Sequence, residues 1–104
     1  RDVSIDFLDP DALRGRPAVL IDDIVSSGGT LITVARRLTQ LGVSTLEAVV
    51  THALFSSEVG RQLAGAGFRS IRSTTSVSHP TNAISLASAL AEALRREVIK
   101  EIEP

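Results

Sequence analysis

Apolar and polar residues alternate from Val3 to Phe7 (Val-Ser-Ile-Asp-Phe), the two-residue period of a half-buried strand, until Asp9-Pro10-Asp11 interrupts it. This pattern predicts an edge strand followed by a turn. Arg14-Gly15-Arg16-Pro17 is a second turn, and it feeds Ala18-Val19-Leu20-Ile21, an unbroken apolar run that suits a central parallel strand covered on both faces. After a polar stretch from Asp22 to Thr30, apolar residues return at Leu31, Val34, Ala35, Leu38 and Leu41, the spacing of one helical face. Gly42 stands where a left-handed helix terminator is wanted, and Leu46 to Val50 supplies a second apolar, β-branched strand. Together these make a βαβ unit. The outline then repeats: Ser56 to Ala66 reads as a helix stopped by Gly65 and Gly67, and Phe68 to Ser73 as a third short strand. Ser73 to Asn82, rich in Ser, Thr and Pro, reads as a loop. From about Ser85, the residues Leu86, Leu90, Ala93, Leu94 and Val98 mark a closing amphipathic helix that ends in the charged tail Arg95 to Glu103. Strands alternating with helices predict an α/β domain with a mainly parallel sheet and right-handed crossovers.

Composition narrows the picture. With 104 residues, 43% of them apolar, and no domain boundary or low-complexity tract, the sequence predicts one compact soluble domain over residues 1–104. The absence of cysteine excludes disulfide frameworks and thiolate zinc sites. A net charge of -1 supplies no general field for gripping nucleic acid or an anionic membrane, so any anion site must be local. No apolar run approaches a membrane span and no secretory signal opens the chain, which makes the cytoplasm the default compartment. The chain opens at Arg1 rather than methionine and enters promptly on an extended segment, as a piece of a longer polypeptide would.

Ligands of open α/β sheets bind beyond the carboxyl ends of the strands, and the first strand-to-helix connection is the unusual one here. It reads Val19-Leu20-Ile21-Asp22-Asp23-Ile24-Val25-Ser26-Ser27-Gly28-Gly29-Thr30. Glycine lets backbone N–H groups approach a ligand without a Cβ in the way, and the helix N-terminus adds unpaired donors and roughly half a positive charge. Such a loop is built to hold a phosphate. Two adjacent carboxylates a few residues away must face something else, and vicinal sugar hydroxyls or a hydrated divalent cation are suitable partners. A phosphorylated pentose satisfies both ends at once. The same residues also suit a blander arrangement: a solvated strand end, then an ordinary turn in which Ser and Thr cap the helix. Other nucleotide motifs are absent. There is no Gly-x-Gly-x-x-Gly, and the sole lysine is Lys100, so a P-loop is ruled out.

Outside the loop, His52 ends the second strand and points toward the same rim, where it either contacts ligand or is locked by hydrogen bonds. His79, beside Pro80, reads as a solvated loop residue. Arg36 and Arg37 fall at least one turn beyond the positive end of their helix and read as surface residues.

Apolar strand, Asp-Asp, two apolar residues, then Ser-Ser-Gly-Gly-Thr: over the thirteen positions Ala18 to Thr30 this order resembles the pyrophosphorylated-ribose signature of type I phosphoribosyltransferases and their relatives. Thr51-His52-Ala53-Leu54-Phe55-Ser56 and Leu90-Ala91-Glu92-Ala93-Leu94-Arg95-Arg96 resemble the carboxyl-terminal domain of ribose-phosphate diphosphokinases, so the likeness spans about Arg14 to Arg96. It implies a three-layer, phosphoribosyltransferase-like α/β fold that is one half of a larger domain pair. It further implies that Asp22 and Asp23 contact ribose hydroxyls near a metal, and that Ser26, Ser27, Gly28, Gly29 and Thr30 wrap the 5-phosphate of ribose 5-phosphate. In that family the β,γ-diphosphoryl group of Mg2+-bound ATP passes to the anomeric hydroxyl, giving phosphoribosyl diphosphate and AMP, in a homo-oligomeric enzyme. Ser26 stands where the family often has aspartate, and a serine there cannot act as a base near neutral pH. At Thr74-Thr75-Ser76 the family's usual aspartate facing the sugar is likewise missing. The family's adenine site, metal-binding histidine and mobile loop with catalytic lysine and arginine lie upstream of this signature. On that comparison the 104 residues are an acceptor half-site without catalytic residues of their own. The alternatives are a phosphoribosyltransferase of nucleotide synthesis or salvage, and a non-catalytic regulatory module.

Overall fold

The computed structural model describes residues 9–102, with side chains described through Glu97. The strand expected at Val3 to Phe7 lies outside the described residues. A 3-10 turn at Pro10–Leu13, with proline opening it, leads into β1 (Pro17–Val25). There follow α1 (Gly29–Gln40), β2 (Thr45–Ala53), α2 (Ser57–Gly65), β3 (Phe68–Thr74), β4 (Asn82–Ile84) and α3 (Leu86–Ile102). The strands form one sheet in the order β1-β2-β3-β4, and every adjacent pair is parallel. The α/β class and parallel sheet are as the periodicities predict.

Both crossover helices lie on one face, because α1 packs on β1 and on α2, and α2 packs on β3. The core forms there. Leu31, Ala35 and Leu38 of α1 and Leu63 of α2 meet Leu46, Ala48 and Val50 of β2 and Phe68 of β3, all buried. Alternation along β2 aims these three residues to one side and leaves Thr45, Glu47 and Val49 half-buried on the other. The helix ends follow local chemistry. Gly42, at φ +86°, closes α1: its N–H donates to Thr39 O and the Val43 N–H to Leu38 O, a Schellman pair. Ser56 opens α2, its hydroxyl accepting from the Val59 amide at 3.2 Å.

Three expectations change. Ala18 to Ile21 does not form a central strand covered on both faces: among the described residues β1 is the sheet edge, with Val19 54% and Ile21 83% exposed. Successive crossovers all step the same way, so the first strand has a described neighbour on one side only. The Ser73–Asn82 loop is shorter than the sequence suggests, since β3 runs to Thr74 and Asn82 begins β4 beside Ser73. Finally, the closing segment is helical, but Leu90 and Leu94 of α3 remain exposed instead of joining the core.

Candidate functional site

Parallel strands end at a common rim, and here the carboxyl ends of β1, β2 and β3 bring together the 26–28 loop, the His52–Phe55 segment and the 75–81 loop. β1 extends through the acidic pair rather than stopping at it, with Asp22 opposite Val50, Ile24 opposite His52 and Val25 opposite Ala53. Successive side chains of a strand face opposite sides. Asp22 is accordingly half-buried on the same side as Ala18 and Leu20, while Asp23 is exposed with Val19 and Ile21.

A cleft of about 190 Å³ opens at the end of β1. Asp22, the whole run Ser26 to Thr30, and the Ile24, Val25 and Leu31 positions line it; Asp23 does not. Its volume is below the ~300–1,000 Å³ of pockets for drug-sized molecules, which suits a small ester rather than a large ligand. A wider groove of about 690 Å³ runs between α1 and α2, with Arg36 its sole charged lining residue. Neither the carboxylates nor the residues Ser26 to Thr30 line it.

The loop's conformation rests on Gly28, whose φ of +77° favours glycine and lets the chain swing from β1 into α1. A Cβ there would lie 3.0 Å from Val59 Cγ1 and 3.4 Å from Leu63 Cδ2, so glycine is also required by packing against α2. Gly28 is the N-cap of α1 and no side chain caps it, which removes the ordinary Ser/Thr-capped turn as an account of these residues. Among the described residues, the amides of Ser27, Gly28, Gly29 and Thr30 have no protein acceptor; the first bond of the turn is from Ile32 N–H to Gly28 O at 2.9 Å. Donors left open at a helix N-terminus attract an anion.

The carboxylates are fixed from below. Asp22 Oδ1 accepts from the Asp23 amide at 2.8 Å, and Asp23 Oδ1 accepts from the Ile24 amide, also at 2.8 Å. Hydrogen bonding to the Asp22 side chain, then to the Ile24 amide, holds the Asp23 carboxyl below its ordinary range, with a smaller contribution from the charge of His52. Each carboxylate keeps Oδ2 for a hydroxyl or a hard cation. Among the described residues no cluster of three or more His, Cys, Asp or Glu forms a metal cage. Asp22, whose Oδ2 is open at the cleft, still fits Mg2+, which retains waters and takes substrate phosphate oxygens in place of further protein ligands.

The histidines are both engaged. His52 Nδ1 lies 2.7 Å from Ser76 Oγ, which in turn donates to Thr51 O at 3.0 Å. His79 is no solvated loop residue: it is half-buried, its ring 4.4 Å from that of Phe55, with Nε2–H donating to Phe55 O at 2.8 Å and Nδ1 accepting from the Thr81 amide at 3.2 Å. Asn82 and the fully buried Ser73 complete that network, tying the 75–81 loop to the sheet. Thr74 also turns inward, its hydroxyl donating to Thr51 O. The pairing of His52 with Ser76 had no signal in the sequence, because 24 positions separate the two.

A parallel α/β sheet carries an open-amide glycine loop and carboxylates at its first crossover, and comparison with known proteins gives the family to which this arrangement belongs. The chain belongs to the phosphoribosyl transferase domain family, whose model matches residues 4–62. It is similar to ribose-phosphate pyrophosphokinases: 39% identical over 82 residues to that of Methanopyrus kandleri, covering 79% of this chain and 28% of that protein. Ribose-phosphate pyrophosphokinase 2 of Archaeoglobus fulgidus is 36% identical over 80 residues, covering 77% and 30%. Among solved structures, a phosphoribosylpyrophosphate synthetase from Mycobacterium smegmatis superposes with a TM-score of 0.63 at 23% identity, over 85% of this chain and 32% of that one. The chain thus spans about 28–32% of the length of these relatives.

Proposed function

We propose that this chain is the ribose 5-phosphate-binding portion of a ribose-phosphate diphosphokinase. In the complete enzyme the diphosphoryl group of ATP passes to the anomeric hydroxyl of ribose 5-phosphate, giving phosphoribosyl diphosphate and AMP. The observation that carries the reading is the set of open amides from Ser27 to Thr30 sharing a cleft with Asp22. Those amides and the Ser26, Ser27 and Thr30 hydroxyls hold the 5-phosphate, while Asp22 and Asp23 accept from the ribose hydroxyls, fixing the acceptor's orientation. Mg2+, when bound, would supply charge neutralisation at the phosphoryl oxygens, and Asp22, which lines the cleft, is the residue that would hold it. The groups that act on ATP come from the remaining part of the enzyme, a cytoplasmic homo-oligomer on this reading. The relatives named above favour this assignment over a base-transferring phosphoribosyltransferase.

Calorimetric titration of the chain with ribose 5-phosphate and with inorganic phosphate tests the division of labour. Replacing both acids (Asp22→Asn with Asp23→Asn) is expected to weaken ribose 5-phosphate binding about tenfold or more, since two charge-assisted acceptors are lost. Inorganic phosphate affinity stays level or rises. Equal ribose 5-phosphate affinity in wild type and variant contradicts the reading.

A further inference from the structure

The two histidines of this chain are held in opposite tautomers, and the difference matters for the site. At His79 the backbone decides: Phe55 O can only accept and the Thr81 amide can only donate, so Nε2 carries the proton and Nδ1 is occupied. At His52 the hydroxyl of Ser76 decides. Its single proton goes to Thr51 O, an obligate acceptor 3.0 Å away, which leaves the Ser76 oxygen as an acceptor for His52 Nδ1 at 2.7 Å. Were the proton aimed at the imidazole instead, two acceptor oxygens would face each other at 3.0 Å. The neighbouring hydroxyl is arranged alike: Thr74 donates to Thr51 O at 2.6 Å and accepts from the Ser76 amide at 3.2 Å. His52 therefore carries its proton on Nδ1.

In the neutral imidazole Nε2 is then a bare lone pair. Among the described residues that nitrogen has no protein partner, and no buried side-chain nitrogen or oxygen is left unsatisfied, so Nε2 reaches solvent. His52 stands opposite Ile24, one position beyond the acidic pair on the neighbouring strand, at the shared carboxyl rim.

We infer that His52 belongs to the sugar-phosphate site, where Nε2 accepts a hydrogen bond from a hydroxyl of the bound pentose. Thr51 O and Ser76 position it, and it adds a neutral acceptor to the carboxylates without adding negative charge near the phosphate loop. The inference rests on the reading given under Proposed function.

Long-range proton–nitrogen NMR correlations on the two imidazoles test it, with His79 as internal control. The unliganded chain is expected to show His52 protonated on Nδ1 and His79 on Nε2. Ribose 5-phosphate should shift the His52 Nε2 resonance and leave His79 unmoved, whereas inorganic phosphate should shift the Ser27–Thr30 amides and neither imidazole. Ser76→Ala should release Nδ1, move His52 toward the Nε2-protonated form and weaken ribose 5-phosphate by about three- to tenfold with phosphate affinity unchanged. His52→Gln, which returns an acceptor near the Nε2 position, should retain more affinity than His52→Phe. An Nε2-protonated His52 in the wild-type chain overturns the inference, and so does a ribose 5-phosphate titration that moves the loop amides but not His52. If neither loop nor imidazole responds, the sugar-phosphate reading falls and the inference with it.

Discussion

Asp23 shows how much of the site's electrostatics is local. Its carboxyl is held down first by the hydrogen bond to Asp22 and next by the Ile24 amide, both partners being sequence neighbours. A depressed folded-state value means that the folded chain prefers the ionised form. That preference contributes fully above the ordinary aspartate value of about 3.9 and is lost as pH falls through the lower folded value. Carboxyl carbon NMR is expected to give an Asp23 midpoint below the ordinary value. A midpoint at or above the ordinary value contradicts the contacts described here. Asp22 and the glycine loop share a cleft because they are adjacent along the chain, a grouping that spacing alone makes visible in the sequence, whereas Asp23 lies outside that cleft. His79 was not visible in that way. Its partners, Phe55 and Thr81, include a carbonyl 24 positions away, and nothing in the run Ser-His-Pro signals that contact.

Helices were the more readable elements. The apolar positions of α1 recur at helical spacing and Gly42 ends it through its own positive φ, while Ser56 announces the start of α2. Strands were harder to place. The run Ala18 to Ile21 carries apolar side chains to both faces, and local pattern cannot say whether a neighbouring element covers the second face. β4 is three residues long and is held by the Ser73, Thr81 and Asn82 network, so no alternation was available to announce it. The junction of β1 with α1 depends on contact between elements: Gly28 packs against Val59 and Leu63 of α2 while adopting a left-handed conformation. Gly28→Ala is expected to destabilise the chain by about 1–3 kcal/mol, combining the left-handed penalty with crowding at 3.0 Å from Val59. Urea unfolding measures it. A midpoint equal to wild type contradicts the Gly28 geometry.

At the scale of the whole molecule the sheet is asymmetric. One face carries the helices and the core; the other presents Val19 and Ile21 exposed among the described residues. The same apolar chemistry therefore has unequal energetic weight. Leu63→Ala, at a fully buried position, is expected to cost about 2–5 kcal/mol, and Ile21→Thr less than about 0.5 kcal/mol. Comparable losses at both positions by urea unfolding would show that the second face is covered in solution. No helix among the described residues is long and apolar enough to cross a membrane. The carboxyl rim carries the loop amides and Asp22 in one cleft, with His52 opposite Ile24 on the neighbouring strand, and the proposed function depends on that rim. The direct test is an amide NMR titration of the chain with ribose 5-phosphate. The account predicts shifts concentrated at Ser27, Gly28, Gly29 and Thr30, with smaller ones at Asp22 and Asp23. Unchanged resonances across that loop at millimolar ligand, or shifts confined to the groove between α1 and α2, would contradict it.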